Sequence, residues 1–148
     1  MTIVIKGNLI LEKDTQFNES IDVRGNIIGI NGTQRSLIVK GDIKACNIIV
    51  HNLSANNVCA WGIKASNITA NDISMSGDIT AIDIIATGDI SAEDIKTWNI
   101  SAKNIKYYGV CYAYQNINCK SIKGESKHAK HFVLDGELVV KEKKQWKI

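Results

Sequence analysis

The sequence predicts an all-β fold in which the chain winds as a parallel β-solenoid of five-residue units. Three observations favour it. A large apolar residue, usually isoleucine, recurs every five or six residues through the middle of the chain. The residue before it is Asn or Asp in 13 of 16 cases, and alanine stands two places after it in nine. The chain also contains no proline, in agreement with a backbone whose hydrogen-bonding groups are nearly all paired.

The five-residue period excludes a helix and a flat strand. Apolar anchors five residues apart advance by about 140° around an α-helix, so they would spiral over its surface. In a flat strand, an odd period places successive anchors on opposite faces. A strand that bends once per unit, at the Asn or Asp, points both the anchor and the alanine inward. The predicted inward anchors are Ile43, Ile48, Leu53, Val58, Ile63, Ile68, Ile73, Ile79, Ile84, Ile90, Ile95, Ile100, Ile105, Val110, Ile117 and Ile122.

The chain is predicted to form one domain of 148 residues with three parts. Residues 1–40 form irregular N-terminal coils, with glycines 7, 25 and 41 at similar places in successive coils and a tight turn at Asn31–Gly32. Residues 41–124 form the five-residue repeats, whose coils pair as parallel strands about 4.8 Å apart. Residues 125–148 form a β-hairpin with Asp135–Gly136 at its turn, which caps the last coil, and a basic tail from Lys141.

From residue 42 to residue 124, the unit Asn/Asp-Ile-x-Ala-x resembles the repeat of the pentapeptide-repeat family. The resemblance implies a right-handed β-helix with four sides. In that family the small inward residue usually precedes the large one by two places, whereas here it follows by two. The glycine spacings of 18 and 16 residues suit a three-sided solenoid similar to that of bactofilins, which polymerise end to end. Both cross-sections therefore remain open.

The C-terminal block, residues 107–140, resembles the ending of small five-residue-repeat proteins of bacteria and their phages, most of them uncharacterised. This resemblance implies an origin in a phage or mobile element. It brings no catalytic residue with it.

Candidate chemistry in the sequence is sparse, and we expect neither an enzyme nor a bound metal or cofactor. Cys111, Cys119, His128 and His131 have the right types for zinc, but their spacing matches no standard zinc finger. Cys119 falls at an inward repeat position, which favours a buried structural thiol. The repeated Gly-Asp-Ile favours corners over calcium sites, because Asn replaces Asp freely.

Large apolar residues at outward repeat positions are the candidate contacts for a protein partner, since such positions otherwise carry Ser, Thr, Lys or Asn. With four units per coil, Trp61 would stack beneath Ile82, and Lys44, Lys64 and Lys106 would form a column able to follow phosphates. With three units that column dissolves. The predicted partner-binding residues are Trp61, Ile82, Ile85, Trp98, Tyr108, Lys64 and Lys106.

Cysteine spacing and the lack of a signal peptide or membrane span favour a protein of the bacterial cytoplasm with reduced thiols. The favoured function is a non-catalytic inhibitor, encoded by a phage or mobile element, that binds a nucleic-acid-handling host enzyme such as a defence nuclease or a topoisomerase. Solenoids of the pentapeptide-repeat family can mimic the rod shape of DNA. The carboxylates between Asp42 and Asp94 are interrupted by lysines, however, and give mimicry little support.

Two other functions are kept open. One is a self-assembling structural solenoid of the bactofilin type, or a homodimer. The other is direct nucleic-acid binding through the basic C-terminal end, because residues 112–148 carry eight lysines and four acidic residues.

Overall fold

The computed structural model describes residues 2–30 and 35–142, and the regular structure in these residues consists of β-strands. No helix in this part of the chain is long and apolar enough to cross a membrane. In chain order, the strands are β1 (Thr2–Ile5), β2 (Leu9–Leu11), β3 (Thr15–Phe17), β4 (Ser20–Val23), β5 (Ile27–Gly29), β6 (Leu37–Val39), β7 (Ile43–Lys44), β8 (Asn47–Ile49), β9 (Asn52–Ser54), β10 (Asn57–Ala60), β11 (Gly62–Lys64), β12 (Asn67–Ala70), β13 (Asp72–Met75), β14 (Ile79–Thr80), β15 (Asp83–Ala86), β16 (Asp89–Ala92), β17 (Ile95–Ser101), β18 (Asn104–Tyr107), β19 (Val110–Cys119), β20 (Ser121–Gly124), β21 (Lys130–Val133) and β22 (Glu137–Val140).

The strands stack into three faces of a solenoid with about eight coils, and every strand pair is parallel. The first face holds β1, β4, β7, β10, β13, β16, β18 and β20. The second face runs from β2 through β5, β8, β11 and β14 to the first half of β17, the first half of β19 and β21. The third face runs from β3 through β6, β9, β12 and β15 to the second halves of β17 and β19 and then β22. We call the bends after these faces the first, second and third corners.

Strand register identifies the cross-section as three-sided. Val58 pairs with Ile73, fifteen positions later, and Ile73 pairs with Ile90, seventeen positions later. Each coil of the repeat region thus takes three units, so of the two cross-sections that the sequence left open the three-sided one is present. The five-residue unit determines that the chain bends once per face, but it does not determine the angle of the bend. The sequence period alone therefore does not give the number of sides.

The core is a column of inward anchors and small residues, as predicted. Fourteen of the sixteen predicted anchors are buried, and Ile122 is half-buried next to the C-terminal end. The alanine of each unit is buried or packs against this core. At about 25 cal/mol per Å² of apolar surface removed from water, these columns supply the main stabilisation of the fold.

Val110 is the one anchor that was assigned wrongly. Cys111 pairs with Ile95 and is buried, while the Val110 N–H donates to the Asp94 carboxylate. Val110 therefore occupies the place that Asn or Asp holds in other units. The extra residue at Gly109 shifts the register by one, which turns Val110 away from the core.

The Asn and Asp side chains join successive coils. At the start of the first face, an unbroken series of hydrogen bonds runs along the stack, each side-chain oxygen accepting from the next coil. We call this series the polar ladder; its members are Ser20, Asp42, Asn57, Asp72, Asp89, Asn104 and Ser121. These side chains therefore link neighbouring coils.

The N-terminal coils are irregular, as predicted. Ile3 pairs with Ile21 eighteen positions later, and Ile21 pairs with Ile43 twenty-two positions later. Gly7 has a φ of +86°, a conformation that glycine adopts without strain. A side chain at Gly25 would collide with Gly7, so these two glycines do stack, whereas Gly41 lies at another corner against Ser20. The predicted turn at residues 31–32 lies outside the described residues.

The predicted C-terminal hairpin is wrong. Strands β21 and β22 each pair in parallel with β19, on the second and third faces. The Asp135–Gly136 step is thus the second corner of one more coil. Gly136 is required there because a Cβ would collide with the carbonyl oxygen of Gln115. Most of the predicted basic tail lies beyond residue 142, outside the described residues.

Candidate protein-contact site

An irregular bend at the second corner exposes Trp98. Strand β17 passes through this corner unbroken, and its pairing with β19 slips between Thr97 and Asn99, so that Trp98 stands out of the ladder. Thr97, a buried polar residue, lies beneath the bend with its hydroxyl within hydrogen-bonding distance of the carbonyls of Ile82 and Asn99. The slip acts like a β-bulge, which bends a strand and redirects a side chain.

Aromatic side chains of the following coils surround Trp98. The ring of Trp98 lies 5.0 Å from that of Tyr114, with the planes tilted by 36°. On the adjoining second face, the rings of Tyr112 and Phe132 meet edge to face at 5.0 Å. A groove of about 190 Å³ is lined by Trp98, Tyr112, Tyr114, Thr80 and Lys96 among others. We call Trp98, Tyr112, Tyr114 and Phe132 the aromatic patch.

Aliphatic side chains extend the aromatic patch along the second corner. The backbone N–H of Trp98 donates to the carbonyl of Ile82, so Ile82 lies at the same corner one coil before Trp98. The N–H of Leu134 donates to the carbonyl of Ala113, so Leu134 lies one coil after Ala113. Ile82, Trp98 and Leu134 are all about half exposed or more. Four successive coils therefore present apolar side chains at one corner, the kind of continuous surface that marks an interaction site.

The predicted partner-binding residues are exposed, but most of them do not meet. Trp61 and Tyr108 lie at the first corner, three coils or about 14 Å apart, with Gly77 and Glu93 between them. Ile85 lies on the third face between Thr69 and Ser101. Ile82 and Trp98 are neighbours at the second corner, so Trp61 does not stack beneath Ile82.

The predicted lysine column and acidic cluster are likewise dispersed. Lys64 is on the second face, whereas Lys44 and Lys106 are on the first, in coils separated by three others. The carboxylates divide among the starts of all three faces, with Asp72 before the first face, Asp78 before the second and Asp83 before the third. No single row of carboxylates therefore follows the solenoid axis along one side of the described coils.

Sequence reasoning missed Tyr112, Tyr114 and Phe132 as part of a contact surface. The signal was present in the spacing, since Ile82, Trp98 and Tyr114 are each sixteen residues apart, as are Lys96 and Tyr112. That spacing becomes visible only once a coil is known to contain three units.

A second group of reactive side chains lies inside the last two coils. Cys111 and Cys119 are buried, and the hydroxyl of Tyr107 lies 2.6 Å from Nδ1 of His131. Burial, with the nearby Cys119, raises the pKa of Cys111 to about 12, and burial also raises the pKa of Cys119. Burial lowers the pKa of His131. These shifts favour neutral thiols and a neutral imidazole, which suit a packed interior.

The four zinc candidates do not form one metal site, although Cys111 and His131 are cross-strand partners in β19 and β21. No group of three or more metal-binding side chains occurs in residues 2–30 and 35–142. His131 points towards Tyr107, while His128 is exposed in the bend before β21.

Comparison with models of protein families, with curated proteins and with solved structures finds no significant match to this chain. The class defined by the fold is therefore a three-sided parallel β-solenoid, and membership of the pentapeptide-repeat family is not shown.

Proposed function

We propose that this solenoid is a non-catalytic binding protein that contacts another protein through the aromatic patch. The observation that carries the proposal is the grouping of four aromatic rings with Ile82 and Leu134 at the second corner and on the adjoining second face, over four successive coils. Large aromatic side chains are enriched at the energetic centres of protein interfaces.

The surroundings of the patch agree with a protein contact. Lys96 and Thr80 line the groove together with the aromatic rings, so polar and apolar side chains lie side by side, as they do in recognition surfaces. The patch is also held in place, because Trp98 and Tyr112 project from paired strands. A surface organised before binding loses less conformational entropy on association.

The finer part of the proposal concerns the partner. We propose a nucleic-acid-handling enzyme of a bacterial host, such as a defence nuclease or a topoisomerase, inhibited in the cytoplasm by this phage- or mobile-element-encoded solenoid. This part is supported by the resemblance of residues 42–124 to pentapeptide repeats and of residues 107–140 to small bacterial and phage proteins. The dispersal of the carboxylates makes apolar contact, rather than imitation of DNA charge, the means of binding.

The test begins with a photo-crosslinking phenylalanine derivative at Phe132, in host cells, to identify the protein that lies against the patch. Affinity for that purified protein is then measured by calorimetry with the wild-type chain and with the double variant Trp98→Ala, Phe132→Ala. We expect a loss of at least thirtyfold, because one aromatic anchor commonly contributes about 2 kcal/mol or more. Activity of the purified enzyme should fall as the wild-type solenoid is added.

The matched control is Trp61→Ala with Tyr108→Ala, which removes two exposed aromatics from the first corner. This control should bind as the wild type does, and both variants should keep the wild-type melting temperature. If the control loses affinity while the patch variant retains it, the site is at the first corner and the proposal is wrong. A crosslinked partner with no role in nucleic-acid chemistry would refute the partner class and leave the site standing.

A further inference from the structure

Four lysines form a compact block near the C-terminal end of the first face, away from the aromatic patch. Lys106 and Lys123 are direct cross-strand partners in β18 and β20, so their backbones lie about 4.8 Å apart. At the adjoining third corner, the N–H of Lys120 donates to the carbonyl of Lys103 at 2.7 Å, so these two also stack. The two stacks are three residues apart along the chain, or about 10 Å. We call Lys103, Lys106, Lys120 and Lys123 the lysine block.

The positive charges of the lysine block are not neutralised by direct ion pairs in the described part of the chain. All four side chains are exposed, and none of them takes part in a hydrogen bond or an ion pair among the described residues. Like charges placed opposite each other on neighbouring strands are destabilising. Elsewhere on the same face the sequence avoids this cost, because Lys44 is the cross-strand partner of Asp22.

The stacked carboxylates of the solenoid have a structural explanation that the lysines lack. Asp72 and Asp89 also stack, but the carboxylate of Asp72 accepts the backbone N–H of Asp89 at 2.8 Å. The carboxylate of Asp78 likewise accepts the N–H of Asp94 at 3.1 Å. A lysine ammonium cannot accept a hydrogen bond, so stacking two lysines contributes nothing to the cohesion of the coils.

Few acidic groups oppose the lysine block. Asp89 is a member of the polar ladder in the coil before Lys106, and its carboxylate accepts a hydrogen bond from the side chain of Asn104. Glu142 follows Lys120 at the third corner, its N–H donating to the carbonyl of Lys120. Glu125, two residues after Lys123, is a third acidic residue nearby, so the four ammonium groups face three carboxylates. A depression of about 420 Å³ beside Lys106 and Lys123 is lined by Asp89, Ser91, Asn104 and Ser121 among others.

We propose that the lysine block binds the phosphodiester backbone of a nucleic acid. Lysine is a mobile point charge that suits phosphate oxygens at varied positions, and hydroxyl and amide groups lie between the two stacks to add hydrogen bonds. The outward positions of the first face hold no aromatic ring in residues 2–30 and 35–142, so bases that lie across this face have no side chain on which to stack, while the exposed Tyr108 lies beyond it at the first corner. Binding is thus electrostatic and independent of base sequence. This inference does not depend on the aromatic patch.

The experiment measures fluorescence anisotropy of labelled 20-nucleotide probes with the full chain between 50 and 200 mM salt. Single-stranded DNA, single-stranded RNA and double-stranded DNA of two sequences each identify which backbone is preferred. With about four phosphate contacts, affinity for single strands should fall about fiftyfold over this range, since the slope of log K against log salt is about −0.7 per contact. The test variant replaces all four lysines by glutamine: Lys103→Gln, Lys106→Gln, Lys120→Gln and Lys123→Gln.

A second variant removes the same charge from scattered, exposed positions: Lys6→Gln, Lys13→Gln, Lys44→Gln and Lys64→Gln. The lysine-block variant should bind more than about tenfold more weakly at 100 mM salt and show a slope shallower by about 3. The scattered variant should keep most of the affinity and the wild-type slope.

Several results would overturn the inference. They are no binding of any probe at 50 mM salt, equal weakening by both variants, or unchanged binding by the lysine-block variant. Binding to phosphatidylglycerol vesicles or to inorganic polyphosphate in strong preference to every oligonucleotide would also overturn it, because the block would then serve another polyanion.

Discussion

At the scale of the residue, two neighbouring positions in one strand have opposite roles. Ile73 points inward between Val58 and Ile90 and is 1% exposed, while Ser74 points outward next to Cys59. Replacing Ile73 by alanine removes buried methyl groups and leaves a cavity between stacked coils, which do not readily move together because their backbones are hydrogen-bonded. Ser74 contributes little beyond its place on the surface.

We expect Ile73→Ala to lower the free energy of unfolding by about 2–5 kcal/mol, and Ser74→Ala to change it by less than about 0.5 kcal/mol. Urea denaturation of both variants, followed by circular dichroism, measures the difference. The pair Ile68→Ala and Thr69→Ala repeats the comparison on the third face. Losses below about half a kilocalorie at both isoleucines would contradict the inward register.

Sequence alone predicted this inward register because the alternation of Ile, an exposed residue and Ala is a local property of each unit. It could not predict the corner at which each aromatic lies. Trp98 and Tyr114 are neighbours because each coil contains three units. That number depends on how sharply the backbone bends at Asn or Asp. Val110 was assigned wrongly for a related reason, since one inserted glycine moves the inward position to Cys111.

At the scale of the element, the polar ladder links the first-face strands of successive coils through side-chain hydrogen bonds. Asp72 and Asp89 are the only two charged members of the ladder that are adjacent to each other. Asparagine can replace Asp72 without losing the hydrogen bond, because its amide oxygen still accepts the N–H of Asp89. The change removes the repulsion between two stacked carboxylates.

Asp72→Asn is therefore expected to stabilise the protein by about 0.2–1 kcal/mol at low ionic strength. The gain should shrink at 1 M salt, where charges are screened within about 3 Å. Asp42→Asn is the matched control, because Asp42 lies between the neutral Ser20 and Asn57 and so should gain nothing. Thermal unfolding of the three proteins at both salt concentrations measures these differences. An equal gain from the two substitutions would refute repulsion within the ladder as the cause.

At the scale of the whole molecule, stability should vary along the solenoid axis. Each coil contacts only its neighbours, as in other repeat proteins, so a terminal coil has one partner where a central coil has two. The inward side chains show this difference. Ile3 in the first coil is 36% exposed and Leu138 in the last described coil is 43% exposed, against 1% for Ile73 in the middle. The two ends of the described stack thus leave strand edges and apolar groups uncovered, and uncovered edges are also sites at which β-proteins associate.

Hydrogen exchange read by mass spectrometry should therefore show the slowest exchange in β12, β13 and β15 and faster exchange towards β1–β3 and β20–β22, since terminal coils open locally without opening the centre. If the protein acts as a single copy, the rates will be the same at low and high protein concentration. The expectation would be contradicted if the terminal strands became more protected from exchange as the protein concentration rises, or if they were as protected as the centre. Either result would instead favour end-to-end assembly of copies through the strand edges, with the aromatic patch and the lysine block repeated at regular intervals along the resulting rod.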